Sequence, residues 1–143
     1  MPETRTCHDD LRAGAVRIEH LALWCRDLDA LRDFYCGWFE ARPGAPYANA
    51  AKGFRSCFPS FADGARLELM HLDALAAGAP ADGPQPGYAH LALAVGSIAA
   101  VDALTARLRA AGVPVVDGPR HTGDGYYESV ILDPEGNRIE ITA

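Results

Sequence analysis

The sequence predicts an α+β fold made of two βαβββ modules. Three observations predict it: an ordered set of internal echoes, a strand–cap–helix pattern that occurs twice, and a hairpin at the end of each half. His20-Leu21-Ala22-Leu23 recurs unchanged 70 residues later as His90-Leu91-Ala92-Leu93. Arg66-Leu67-Glu68-Leu69 recurs 72 residues later as Arg138-Ile139-Glu140-Ile141. Gly53-Phe54 matches Gly125-Tyr126, and Asp63-Gly64 matches Glu135-Gly136, again 72 apart. Echoes in one order at nearly one offset indicate a duplicated unit, with modules at 16–72 and 87–143. Two copies give pseudo-symmetry inside one domain rather than a solenoid.

Each element has a local reason. Residues 17–25 alternate and are rich in apolar side chains, the pattern of a strand. Asp27 offers an N-cap; Leu28, Leu31, Tyr35 and Trp38 follow at helical spacing, with Gly37 as a possible stop. In the second copy 88–95 is a strand, Ser97 an N-cap, and Ile98, Val101, Leu104 and Leu108 an apolar helical stripe ending at Gly112. A short strand at 113–116 follows, stopped by Asp117-Gly118-Pro119. The hairpins are 54–62 with 65–71 around Asp63-Gly64, and 126–132 with 137–142 around Asp133-Pro134-Glu135-Gly136. Residues 73–86, rich in Ala, Gly and Pro, form the linker, and 1–15 an N-terminal tail outside the repeat.

Composition narrows the function classes. The chain has 143 residues, 49% of them hydrophobic and 22% charged, as in globular proteins. That length buries about two-thirds of the unfolded surface without disulfide or metal staples. A formal net charge of −6 argues against nucleic acid, which needs a basic footprint. The longest apolar run is far short of a membrane span, and the polar N-terminus has no hydrophobic signal core. Cys7, Cys25, Cys36 and Cys57 form no CxxC pair, so a reducing, cytoplasmic setting is expected and each cysteine is read as a small apolar residue.

The repeat places the same polar residues at equivalent positions twice. By alternation His20 shares a face with Ile18, Ala22 and Trp24. Glu68 faces with Arg66 and Met70, and Glu140 with Arg138 and Thr142. Helices cover the Leu and Ile face, so His20, Glu68, His90 and Glu140 are expected to turn into a shared concavity. Two carboxylates there repel each other and lose hydration, and a divalent cation relieves both costs. Two imidazoles and two carboxylates suit a borderline or hard divalent ion. The competing reading is two His–Glu hydrogen-bonded pairs left by duplication. His71 points away from Glu68; His8 lies in the tail and His121 in a surface loop. Arg55, Arg120, Tyr126 and Tyr127 are candidate substrate contacts, against hairpin or surface packing. Trp24 is a candidate pocket wall.

Glu19-His20-Leu21-Ala22-Leu23 with Asp27-Leu28 and Phe34-Tyr35, the strand Arg66-Leu67-Glu68-Leu69, His90-Leu91-Ala92-Leu93, and above all Asp133-Pro134-Glu135-Gly136-Asn137-Arg138-Ile139-Glu140 resemble the glyoxalase/bleomycin-resistance/extradiol-dioxygenase (vicinal oxygen chelate, VOC) superfamily. Gly123-Asp124-Gly125-Tyr126-Tyr127-Glu128-Ser129 is most similar to small bacterial glyoxalase I-like proteins. The resemblance implies that the modules form a curved, partly closed mixed sheet around one metal. It matches the glyoxalase I ligands to His20, Glu68, His90 and Glu140, with Ni²⁺, Zn²⁺, Co²⁺ or Mn²⁺ as the ion. It further implies a small-molecule substrate, a lyase/isomerase reaction by proton abstraction and enediolate stabilisation, Glu140 as base with Glu68 as its symmetric partner, and a homodimer. The site could form within one chain or between halves of two. Trp24 and Leu72 stand where glyoxalase I often has a basic residue and an Asn serving glutathione, so the glutathione carboxylates lack two expected partners. Within the superfamily the alternatives are an iron(II) extradiol dioxygenase, which wants two His and one carboxylate, an antibiotic-binding resistance protein, and thiol transfer to an epoxide antibiotic.

Overall fold

A computed structural model describes residues 18–75 and 86–143. The tail 1–15, with Cys7 and His8, and residues 76–85 of the linker lie outside the described residues. The first module contains β1 (His20–Trp24), α1 (Leu28–Phe39), β2 (Tyr47–Asn49), a 3-10 turn (Ala50–Lys52), β3 (Phe54–Cys57) and β4 (Arg66–Leu72). The second contains β5 (Leu91–Ala94), α2 (Ile98–Ala110), β6 (Val115–His121), β7 (Tyr127–Leu132) and β8 (Arg138–Thr142). Each forms a four-stranded mixed sheet, β1-β4-β3-β2 and β5-β8-β7-β6. The order is the same in both, with the first strand parallel to the last. The α+β fold of two βαβββ modules is therefore present.

Both helices begin at the expected caps: the Asp27 carboxylate accepts from the Ala30 N–H and the Ser97 hydroxyl from the Ala100 N–H. The first does not end at Gly37, which lies inside α1; a lone glycine in a helix costs only about 1 kcal/mol. Glu40, at φ 56°, ends it instead. In α2 the buried side chains are Val101, Thr105 and Leu108, while Ile98 is half exposed. Thr105 is tolerated inside because its hydroxyl donates to the Val101 carbonyl at 2.6 Å and meets Ser129 Oγ at 2.7 Å.

Asp117-Gly118-Pro119 does not stop a strand; β6 runs through it to His121. Register shifts on both sides of Asp117 absorb the irregularity. Gly118 is required there: at φ 72° a Cβ would lie 2.5 Å from the Glu128 carbonyl oxygen. Strand β5 starts at Leu91, so His90 immediately precedes it.

One core joins the modules. Leu28, Leu31, Phe34 and Tyr35 from α1, Leu67 and Leu69 from β4, Val101 and Leu108 from α2, and Ile131, Ile139 and Ile141 form a single buried cluster. Among the described residues the sheets share no strand pairing. A polar clasp fixes their relation. The buried Tyr35 hydroxyl donates to Asp133 Oδ2 at 3.0 Å, and the Arg26 and Asp27 N–H groups donate to Glu135 Oε1 at 2.8 and 2.9 Å. Asp133 Oδ1 also accepts from the Glu135 and Asn137 N–H groups at 2.9 Å. The Asp133–Gly136 turn thus both shapes itself and holds the chain entering α1. Burial and the Asp133 charge push the Tyr35 phenol far above its ordinary pKa. Among the described residues no helix is long and apolar enough to cross a membrane.

Tyr35→Phe should cost about 1–3 kcal/mol of stability, because a 4% exposed carboxylate loses a donor. Urea unfolding measures it; a variant with wild-type stability would show that the clasp is not holding the modules.

Candidate metal centre

Strand register sets the site geometry. Ala22 lies opposite Glu68 and Ala92 opposite Glu140 in the two parallel pairs. The His two residues earlier therefore sits diagonally from the Glu on the same face, and the small Ala between them leaves room. His20 Nε2 is 3.4 Å from Glu68 Oε2, and His90 Nε2 is 3.1 Å from Glu140 Oε2. The opposite faces carry Leu67, Leu69, Ile139 and Ile141, all buried. The facing argument from alternation is met in both modules.

The four residues come together as two pairs and not as one quartet. Among the described residues no three His, Cys, Asp or Glu side chains gather as a metal would need. Each pair offers one imidazole nitrogen and one carboxylate oxygen, a donor set that fits half of a divalent site. The two pairs of one chain belong to separate sheets.

The surroundings of the pairs differ. On the first, Glu19 Oε2 contacts His20 Nδ1, and Arg66 binds Glu19 Oε1 through Nε at 3.0 Å. His20 meets Phe58 edge-on at 5.6 Å, and the Arg66 guanidinium lies 4.4 Å over the same ring. The His20 and Arg66 bonds hold the Glu19 carboxyl below its ordinary pKa. Trp24 does share this face; half exposed, it packs edge-on against Phe54, which also contacts Tyr47.

The second face is polar. His90, Glu140, Glu128, Asp124, Tyr126 and Thr142 line a cavity of about 320 Å³. Glu128 was not singled out from sequence as a site residue. Its signal was its place opposite Thr142 on the strand beside Glu140. It is 7% exposed. Burial, then the Glu140 charge, raises its carboxyl pKa, opposed by Arg120. Arg120 Nη1 lies 3.7 Å from Glu128, while Nε and Nη2 hold Asp117 at 2.9 and 2.8 Å. The Arg120 charge is therefore shared between two carboxylates.

Of the candidate contacts, Tyr126 lines the cavity and Arg120 borders it through Glu128. Tyr127 points the other way and donates to Asp102 of α2 at 2.5 Å. Arg55 is in register with His71, off the His20 face, and His71 Nδ1 contacts the Cys25 carbonyl at 3.0 Å. Cys25, Cys36 and Cys57 are free thiols. Burial pushes Cys25 up to about 11, the wrong direction for a nucleophile.

The raised Glu128 pKa has a definite sign. From the ordinary value of 4.5 upward the folded state holds this proton more tightly than the unfolded state. Stability from the protonated form is therefore lost as pH rises through the folded pKa. In chelator-treated protein Glu128→Gln should gain stability relative to wild type as pH rises from 4.5 to neutrality. Thermal melts across that range check it, and a constant difference would contradict it.

The family model described as "Glyoxalase/Bleomycin resistance protein/Dioxygenase superfamily" matches residues 17–141. No curated protein matches the chain. Among solved structures, a possible glyoxalase from Bacillus cereus is 26% identical with a TM-score of 0.68, covering 90% of this chain and 100% of that one. A glyoxylase/bleomycin resistance protein/dioxygenase domain from Frankia sp. EAN1pec is 20% identical with a TM-score of 0.74, covering 87% and 94%. The trypanothione-dependent glyoxalase I of Leishmania major is 21% identical with a TM-score of 0.70, covering 90% and 86%. The last two likenesses concern the fold.

Proposed function

The chain belongs to the Glyoxalase/Bleomycin resistance protein/Dioxygenase superfamily, and we propose that it is a metal-dependent, glyoxalase I-like lyase/isomerase. Its substrate would be a small vicinal-oxygen compound, such as a thiol adduct of a 2-oxoaldehyde. The observation that carries this reading is the His–Glu pair at the same register place on the same face of both sheets. A single such pair is ordinary surface chemistry; two in equivalent positions, each with a carboxylate turned to an imidazole nitrogen, form matched halves of an N₂O₂ ligand set.

The completed set belongs, in this proposal, between two copies of the chain. His20 and Glu68 of one protomer would join His90 and Glu140 of another, which makes the protein a homodimer. The half-exposed Trp24 and Tyr47 beside the first pair supply apolar surface for such a contact or for substrate. Ni²⁺, Zn²⁺, Co²⁺ and Mn²⁺ all suit these donors. When bound, the ion would supply Lewis-acid stabilisation of charge on neighbouring substrate oxygens. Glu140, on the cavity wall, takes the proton from carbon and returns it; Glu68 is the symmetric alternative. His20 and His90 hold position, and Tyr126 borders the substrate.

Substrate charge follows from the cavity. Glu128 and Asp124 join Glu140 on its wall, Arg120 is already shared by two carboxylates, and Trp24 and Leu72 offer no partner to an anion. A neutral or cationic thiol adduct suits this lining better than the carboxylates of glutathione. The antibiotic-binding reading draws on the same half-exposed Trp24, Tyr47 and Tyr126; elemental analysis of the purified protein separates the two.

Light scattering should give a dimer, and elemental analysis one divalent ion per chain; a metal-free monomer would defeat the proposal. On metal-loaded protein, with a panel of thiols and methylglyoxal as the screen, Glu140→Gln should lower turnover about 10²–10⁴-fold. Glu68→Gln should chiefly weaken metal binding. The reverse order would move the base to Glu68, and unchanged turnover in both variants would remove carboxylate base catalysis.

A further inference from the structure

The two half-sites are alike in their ligands and unlike in what stands behind them. Glu19 contacts Nδ1 of His20. Seventy residues on, Ala89 occupies the equivalent position and cannot accept a proton. Among the described residues, His90 makes its only polar contact through Nε2, to Glu140.

We propose that Glu19 is a positioning residue that fixes His20 as the Nδ1–H tautomer and presents the bare Nε2 lone pair toward Glu68. The inference rests on the metal reading for its purpose but not for its geometry. An ionised carboxylate only accepts hydrogen bonds, so the nitrogen it touches must carry the proton. In the neutral imidazole the other nitrogen is then an acceptor, 3.4 Å from the Glu68 carboxylate oxygen. Two acceptors this close repel each other, and a cation beside both relieves the repulsion. Glu19 is itself held: Arg66 grips Oε1, and Arg66 also lies over the Phe58 ring that His20 meets edge-on. Ring orientation and tautomer are thus set before any ligand arrives. A carboxylate behind a metal-bound His is a known way to fix its tautomer and raise its basicity. Here the first half-site is preset, while among the described residues no side chain stands behind His90 in the second.

The test uses His-labelled, full-length protein without metal at about pH 8.5, where an ordinary imidazole is neutral. Long-range ¹H–¹⁵N spectra read the tautomer, with His20→Asn assigning the signal. The expected result is His20 protonated at Nδ1 and bare at Nε2, with that signature lost in Glu19→Ala and kept in Glu19→Asp. His20 protonated at Nε2, or at both nitrogens, overturns the proposal. So does a Glu19→Ala spectrum equal to wild type. Calorimetric titration with Zn²⁺ gives the second readout. Glu19→Ala should weaken binding about 10–100-fold, with Glu19→Asp recovering most of it; equal affinities in wild type and Glu19→Ala also overturn the proposal. Glu19 is half exposed, so circular dichroism melts should show the variants folded. If wild type takes up no Zn²⁺, the metal reading fails, and the tautomer spectra still decide the role of Glu19.

Discussion

The turn from Asp133 to Gly136 and its grip on α1 set the frame for everything else. Two sheets that share no ladder can be placed in many ways. Here the placement is fixed by a buried phenol on a buried carboxylate and by a glutamate that accepts from the two N–H groups just before the first helix. These bonds lie on the helix-covered side. The faces carrying the His–Glu pairs remain half exposed, with side-chain exposures of 40% for His20 and 39% for His90. An arrangement that closes the core in this way leaves each chain with two exposed His–Glu pairs.

Duplication gave both modules the same His–Glu pair, and divergence gave them different neighbours. The first face is aromatic, with Trp24, Phe54, Tyr47 and Phe58 near its pair. The second is acidic, with Glu128 and Asp124 around its cavity. Arg120, beside that cavity, is held by Asp117 and Glu128. Joining one face of each type would give a pocket with an apolar wall and an acidic wall. Such a pocket would favour substrates unlike the dicarboxylate thiol that the resemblance to glyoxalase I implies.

Much of this was legible in the sequence because the repeat multiplies weak signals. One His in a strand says little; His20 and His90 in identical tetrapeptides, each matched by a Glu near the end of its module, say a great deal. Alternation then assigned their faces correctly. Other features were beyond local rules. Gly37 suggests a helix end on intrinsic propensity alone, but the packing of α1 against β4 carries the helix past it. Strand β6 passes Gly118-Pro119 because its bulge brings the β7 backbone close, which only the tertiary partner reveals. Glu19 was hidden for a different reason. Neighbours in a strand point to opposite faces, but β1 begins at His20, so Glu19 escapes alternation and folds back onto its neighbour. Whether two pairs make one site is a question of assembly, on which hydrophobic periodicity within a single chain is silent.

Subunit complementation bears most directly on the shared site. One variant carries His20→Ala and the other His90→Ala, and each alone should bind little metal. After co-refolding, a mixed dimer would join the intact first half of one chain to the intact second half of the other. Zn²⁺ binding should then return to about a quarter of the wild-type level, since about half of the dimers are mixed and each holds one complete site. Mixtures that bind no more than the separate variants would contradict a site built between two chains.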